Sequence, residues 1–196
     1  MQKSTLAPIL LLLICLCLPS SSMAGAATSH GSLGNRQPVV DVARLEKKIH
    51  GLINQERKKA GLPELAWNPA LQRIARDYSR EMASRNFFSH TGPDGRGFAE
   101  RYQDAGFDCA LRTSTDAICL GGENLALNAL YNSIVWKNGR SKTAWNSEGQ
   151  IAASVVRQWM ASPGHRRNIL TSHYRRQGIG IFIDHNGRVL VTENFC

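Results

Sequence analysis

The stretch that most narrows the fold lies at the C-terminus. Residues 178–195, GIGIFIDHNGRVLVTENF, place two β-rich runs on either side of an Asn-Gly pair, a strong local signature of a β-hairpin. Most of what precedes it reads as helix. Val42, Leu45, Ile49, Leu52 and Ile53 recur at helical spacing until Gly61-Leu62-Pro63 stops the run. Asn68 then offers an N-cap with Pro69 at the first helical position, and Leu71, Ile74, Ala75, Tyr78 and Met82 form a second apolar stripe. FAERYQDAG predicts a short helix ending at Gly106, and QIAASVVRQWMAS a longer one with Ile151, Val155, Trp159 and Met160 facing inward. GENLAL reads as an inner strand. Helices early and between, with a hairpin last, predict an α+β sandwich rather than repeated βαβ units. Residues 131–149 fit neither period and read as an inserted, aromatic-bearing loop or hairpin.

Residues 1–26 read as an export signal. Lys3 supplies the positive start, Leu6 to Leu18 the apolar core, and the small residues around Ala24 and Ala26 a cleavage site. The apolar run falls well short of the ~20 residues needed to span a bilayer, so no transmembrane segment is expected after cleavage. Cys15 and Cys17 lack the small preceding residue that lipid attachment would require. Polar, Gly-rich residues 27–40 read as a flexible leader, and 41–196 as one domain. The expected location is secreted or periplasmic. Removing the signal takes away a single charge of the net +9. In an exported protein that excess points to an anionic cell-envelope or lipid partner rather than nucleic acid, although solubility alone accounts for it as well.

Cys109, Cys119 and Cys196 lie beyond the signal and permit three single bridges, each leaving one thiol over. Cys109–Cys119 is the expected pair because both flank a polar, loop-like stretch. Cys196 is then free or paired between chains.

H-E-x-x-H, the P-loop and C-x-x-C are all absent. Three polar signatures at chain bends remain. NFFSHTGPDGRG presents Ser89 and His90. GGENLA sets the carboxylate of Glu123 and the amide of Asn124 between glycines and an apolar strand. SPGHRRNIL makes Ser162 an N-cap and Pro163 the first helical residue, which brings His165 to the third position. There the helix dipole disfavours imidazolium and leaves a neutral ring able to accept a hydrogen bond or bind a metal. Each signature also has a plain reading, a capped surface histidine or a carboxylate paired with arginine. His30, His50, His173 and His185 lack any such context.

In this order the motifs NFFSHTGPDGRG, GGENLA, VVRQWMASPGHRRNIL and GIGIFI resemble the CAP superfamily in its compact bacterial form. That superfamily comprises cysteine-rich secretory proteins, antigen 5 and pathogenesis-related proteins, and its domain is the SCP-like extracellular domain. The resemblance covers about residue 45 to the C-terminus. It implies a three-layer α-β-α sandwich whose central cavity is lined by two histidines and acidic partners. His90 and His165 stand where the family has its cavity histidines, and Glu123 where it has the Gly-Glu-Asn glutamate. Many eukaryotic members carry a further glutamate just after the helix tryptophan; here Ser162 holds the place three residues beyond Trp159. His90 and His165 are thus the candidate metal ligands, and a divalent ion such as Zn2+ would depend on water or carboxylate to complete four-coordination. No cofactor is required.

The resemblance implies a non-enzymatic module binding a lipid, another cell-envelope component or a divalent cation. Arg166, Arg167, Arg175 and Arg176 lie near the expected mouth. A hydrolase is the alternative, with His90, Glu123 and His165 as its candidate catalytic residues and Ser89 or Ser162 as hydroxyl. Ser162 is better explained as a cap, and Ser89 adjoins His90 in sequence. A signalling or stress factor acting at the cell envelope, with 131–149 as its working surface, is the third reading.

Overall fold

The computed structural model describes residues 37–112 and 116–196. The proposed signal, and the leader apart from residues 37–40, therefore lie outside the described residues. Helix α1 (Val42–Lys59) begins where Asp41 accepts a hydrogen bond from the Arg44 amide, and buries Leu45, Ile49 and Ile53. Arg57, near its end, is fully buried. Its guanidinium donates to the carbonyls of Pro63, Ile169 and Thr171, tying α1 to segments over a hundred residues away. A two-residue strand β1 (Ala66–Trp67) follows. The Asn68 carboxamide oxygen then accepts from the Ala70 and Leu71 amides, starting α2 (Pro69–Ser84), which buries the expected stripe.

After α3 (Phe98–Asp104), β2 (Leu111–Arg112) and β3 (Ile118–Cys119) form a small ribbon of their own. The main strands are β4 (Gly122–Ala129), β7 (Arg176–Ile183) and β8 (Arg188–Phe195). Between them in the chain come the hairpin strands β5 (Tyr131–Lys137) and β6 (Arg140–Trp145), then α4 (Glu148–Ala161) and α5 (Pro163–Ile169). The main sheet has the order β1-β7-β8-β4, with β1 parallel to β7 and the rest antiparallel.

Helices cover both faces. Along β8, Val189, Val191 and Phe195 join the core of α1 and α4, while Leu190 packs with Tyr78 and Met82 of α2. The fold is thus the expected α+β, three-layer α-β-α sandwich. The two glycines of the GIG run in β7 are required by the α2 layer. A Cβ on Gly178 would sit 2.1 Å from the Gln72 amide nitrogen, and one on Gly180 2.0 Å from that of Arg76. The helix backbone lies directly on the strand.

Three expectations are corrected. GENLAL is an edge strand, not an inner one, and is buried because side chains take its outward carbonyls. Asn168 Nδ2 donates to Glu123, Trp159 Nε1 to Leu125 and Asn146 Nδ2 to Ala129. Residues 131–149 take the hairpin alternative: Asn138 and Gly139 both adopt positive φ, the two-residue turn that joins β5 to β6. The C-terminal hairpin instead turns through a longer loop, in which Asp184 accepts from the Asn186 and Arg188 amides and only Gly187 has positive φ.

The disulfide is Cys109–Cys196, not Cys109–Cys119. Antiparallel pairing of β2 with β3 sets Cys119 opposite Leu111, not opposite Cys109, and Cys119 is a free, half-buried thiol. Cys196 is fully buried, its amide donating to the Arg176 carbonyl and its carbonyl accepting from the Arg175 and Arg176 amides. Those bonds deliver the end of the chain to Cys109. Among the described residues no helix is long and apolar enough to cross a membrane.

Candidate functional site

The site is assembled at the outer edge of β4, where the two helical layers meet. Its first requirement is the glycine pair ahead of Glu123. Gly121 has φ +102°, and a Cβ there would lie 2.5 Å from the Phe195 carbonyl oxygen; a Cβ on Gly122 would lie 2.6 Å from the Tyr174 hydroxyl. Only bare backbone passes between these groups, and Glu123 and Asn124 then point to opposite faces of the sheet.

Glu123 turns toward the α2–α3 side, its side chain 1% exposed. One carboxylate oxygen lies 2.9 Å from His90 Nδ1, and the other accepts from Arg101 Nη2 at 2.5 Å. The Arg101 guanidinium also lies 3.4 Å from the centre of the Tyr78 ring and donates to the His90 carbonyl. Tyr78 donates its hydroxyl proton to the neighbouring Ser89 carbonyl at 2.6 Å, and burial pushes that hydroxyl up to about 12. His90 is therefore held through its ring by Glu123 and through its backbone by Arg101 and Tyr78. A carboxylate can only accept, so Nδ1–H donates to Glu123 and Nε2 is the ring nitrogen left to face outward.

His165 approaches from the other layer. The ring centres of His90 and His165 are 6.0 Å apart, with planes tilted by 50°. Burial first, and the neighbouring His90 second, hold the His165 imidazole below its ordinary range, so the ring is neutral at neutral pH. The neutral form is as expected, while burial rather than the helix end is the leading cause. Ser162 occupies the N-cap of α5 with extended backbone, but its hydroxyl makes no capping bond. The helix start thus rests on Pro163 and backbone geometry.

Asn124 points into the α4–α5 side. Its Nδ2 donates to the His165 carbonyl and to Glu193, and its oxygen accepts from Asn168. Glu193 sits opposite Asn124 in the β4–β8 register and is completely buried. Burial drives its carboxyl well above the usual carboxylate range, against the opposing pull of the Asn124 hydrogen bond and the Arg57 charge. Burial thus favours the neutral form of this carboxyl beneath the site.

The structure thus brings His90, Glu123, Asn124 and His165 together. The His90 side chain is 52% exposed, so its ring opens to solvent and is not sealed in a cavity. Sequence reasoning missed Arg101, Tyr78, Asn168 and Glu193. Of these only Glu193 carried a signal, an acidic residue within the apolar run VLVTENF. Among the described residues no three His, Cys, Asp or Glu side chains gather as a metal-holding group, so an ion on His90 and His165 would take its remaining ligands from water.

Known proteins share this arrangement of chain. The profile of the CAP, or cysteine-rich secretory protein, family matches residues 50–195. The chain belongs to this family. It is 30% identical over 140 residues to the protein YkwD of Bacillus subtilis (strain 168), and 28% identical over 150 residues to the membrane protein YlbC of the same organism. Those matches cover 71% and 76% of this chain but only 43% and 34% of the relatives, so the CAP chain spans less than half of either. Among solved structures it resembles an extracellular SCP-domain protein of Bacillus anthracis, at TM-score 0.57 and 23% identity over 82% of this chain and 44% of that one. It also resembles an outer surface protein of Borrelia burgdorferi, at TM-score 0.57 and 16% identity over 83% and 97% of the two chains. At such identities these two likenesses bear on the fold alone.

Proposed function

We propose that this CAP protein is a secreted or periplasmic, non-enzymatic binding module. Its recognition face comprises His90, Glu123, Asn124 and His165, and its ligand is a lipid or another component of the cell envelope. The reading rests on one observation: each oxygen of Glu123 already has a partner, His90 Nδ1 on one side and Arg101 on the other. The carboxylate orients an imidazole and, with its side chain 1% exposed, does not itself face a ligand. What faces outward is a pair of imidazoles, one with its ring orientation fixed through Nδ1 and one held neutral, which suits hydrogen-bonding a polar headgroup. The buried disulfide supports an oxidising compartment. The neighbouring hydroxyl of Ser89 is occupied in a local turn, accepting from the Thr91 amide. That favours binding over nucleophilic catalysis. No cofactor enters this reading.

Native mass spectrometry of protein purified from its own host, then after exposure to a lipid mixture from the same cells, tests the proposal. A retained or acquired ligand that is lost in His90→Ala and His165→Ala is the expected result. Apo protein that takes up nothing refutes it. So does cleavage of an ester or peptide library that is abolished by Glu123→Gln, which would establish a hydrolase instead.

A further inference from the structure

The β5–β6 hairpin is separate from the recognition face. It leaves the far end of β4, roughly 20 Å along the strand from Glu123 at ~3.3 Å per residue, and forms a two-stranded sheet of its own. Its base is anchored: Tyr131 meets Trp145 edge-on with ring centres 6.4 Å apart, and the Asn146 amide donates to the Leu130 carbonyl. Beyond the base, Asn132 to Arg140 are all exposed.

Cross-strand register sorts the side chains. Ile134 opposes Thr143 and Trp136 opposes Ser141, so one face carries Ile134 and Trp136, 45% and 73% exposed. Val135 opposes Lys142 and Lys137 opposes Arg140, so the other face is cationic around a single valine. From Asn124 to Ser147 the sequence has no acidic residue, and among the described residues none of Lys137, Arg140 and Lys142 makes an ion pair. Edge protection explains charge on a two-stranded ribbon. It does not explain an exposed tryptophan and isoleucine on a ribbon that is itself marginal in water.

We infer that this hairpin is a membrane-docking finger: Ile134 and Trp136 enter the headgroup region of a bilayer, while Lys137, Arg140 and Lys142 bind anionic lipid phosphates. Tryptophan favours that interface because its ring is apolar and its N–H polar. Lysine and arginine can lay their stems along the apolar layer and keep their charges among phosphates. A soluble polyanion would engage the three cations and leave the tryptophan face without a role.

The test is co-sedimentation of the full chain with phosphatidylcholine vesicles with and without phosphatidylglycerol, together with tryptophan quenching by brominated lipid. All comparisons are between variants of the same chain, so any contribution of residues 6–18 is common to them. The expected result is salt-sensitive binding that depends on phosphatidylglycerol, with quenching that disappears in Trp136→Ser. At roughly fivefold per cation near an anionic surface, the K137Q/R140Q/K142Q variant should bind roughly a hundredfold more weakly. These side chains are exposed, so unchanged melting curves will confirm folding. Lys58→Gln, which removes an exposed cation of α1 outside both the hairpin and the recognition face, should bind vesicles normally. Undiminished binding by the triple variant overturns the inference, as does an absence of Trp136 quenching. So would equal binding to a soluble anionic polysaccharide that Trp136→Ser leaves intact, or a Lys58→Gln loss as large as that of the triple variant.

Discussion

Removing the Cys109–Cys196 bridge should be among the most destabilising changes open to a single side chain in this protein. The bond spans a sequence separation of 87. Chain-entropy reasoning then gives about 4.6 kcal/mol of stabilisation, acting mainly by restricting the unfolded chain. A Cys109–Cys119 bond would close a loop of about ten residues and give only about 2.7 kcal/mol. Urea unfolding of wild type, Cys109→Ala, Cys196→Ala and the double variant measures it. Each single variant should lose roughly 4–5 kcal/mol, and the double variant little more than either, since one bond is being removed twice. Cys119→Ala should fall below about 1 kcal/mol, within the range of a half-buried side chain that loses no covalent partner.

A non-reduced tryptic digest gives an independent reading. Cleavage after Arg101, Arg112 and Arg188 places Cys109 in YQDAGFDCALR and Cys196 in VLVTENFC, with Cys119 in a separate peptide. The first two should travel as one cross-linked mass that separates on reduction. A cross-link from YQDAGFDCALR to the Cys119 peptide, or a Cys119→Ala loss equal to that of Cys196→Ala, would refute the argument.

Other perturbations test the site and its support. Arg101→Gln leaves the buried Glu123 carboxylate without its cation and should cost about 3 kcal/mol or more in urea unfolding, partly restored by adding Glu123→Gln; a loss under about 1 kcal/mol would remove Arg101 as the residue holding the site. Glu193, with its folded-state pKa raised by burial, contributes stability that is fully present below its unfolded value near 4.5 and lost as pH rises through the folded value. Glu193→Gln should therefore be more stable than wild type at pH 8 and flatten the decline above pH 5, as followed by thermal melts across pH. Gly180→Ala forces a Cβ into the α2 backbone and should cost about 3 kcal/mol or more, whereas Gly51→Ala, with no atom within 4 Å, should gain about 0.5–1 kcal/mol. Equal effects at the two glycines would refute the close approach of helix and strand.

Local physics made much of this protein legible. Apolar spacing at 3.6 residues located α1, α2 and α4, and the Asn68-Pro69 cap showed where α2 begins. The C-terminal hairpin followed from two β-rich runs and a turn. What escaped was decided by distant parts of the chain. Strand β1 has two residues, too few for any period, and exists because Ala66 and Trp67 pair with β7. Cys196 meets Cys109 because pairing with Arg175 and Arg176 holds the residue that follows β8 in place, an outcome that loop composition around Cys109 cannot register. Arg101 is an ordinary polar residue of a short helix until folding sets it against a carboxylate 22 positions later. Asn138-Gly139 is different: the turn signal was present in the sequence, and the uneven pattern of the flanking residues left loop and hairpin both open until β5 and β6 paired.

The bridge and the recognition face are also one mechanical unit. Phe195, next to Cys196, stacks on Tyr174 with ring centres 5.3 Å apart and an interplanar angle of 18°. The Tyr174 hydroxyl donates to the Gly121 carbonyl, and that of Tyr102 reaches the carbonyls of both Gly122 and Phe195. Those two glycines are the backbone that aims Glu123 at His90. A covalent tie at the C-terminus therefore fixes a tyrosine pair, the tyrosines fix the glycines, and the glycines fix the carboxylate. Stability and recognition geometry should weaken together when Cys196 is replaced, even though no atom of Cys196 belongs to the face that would meet a ligand.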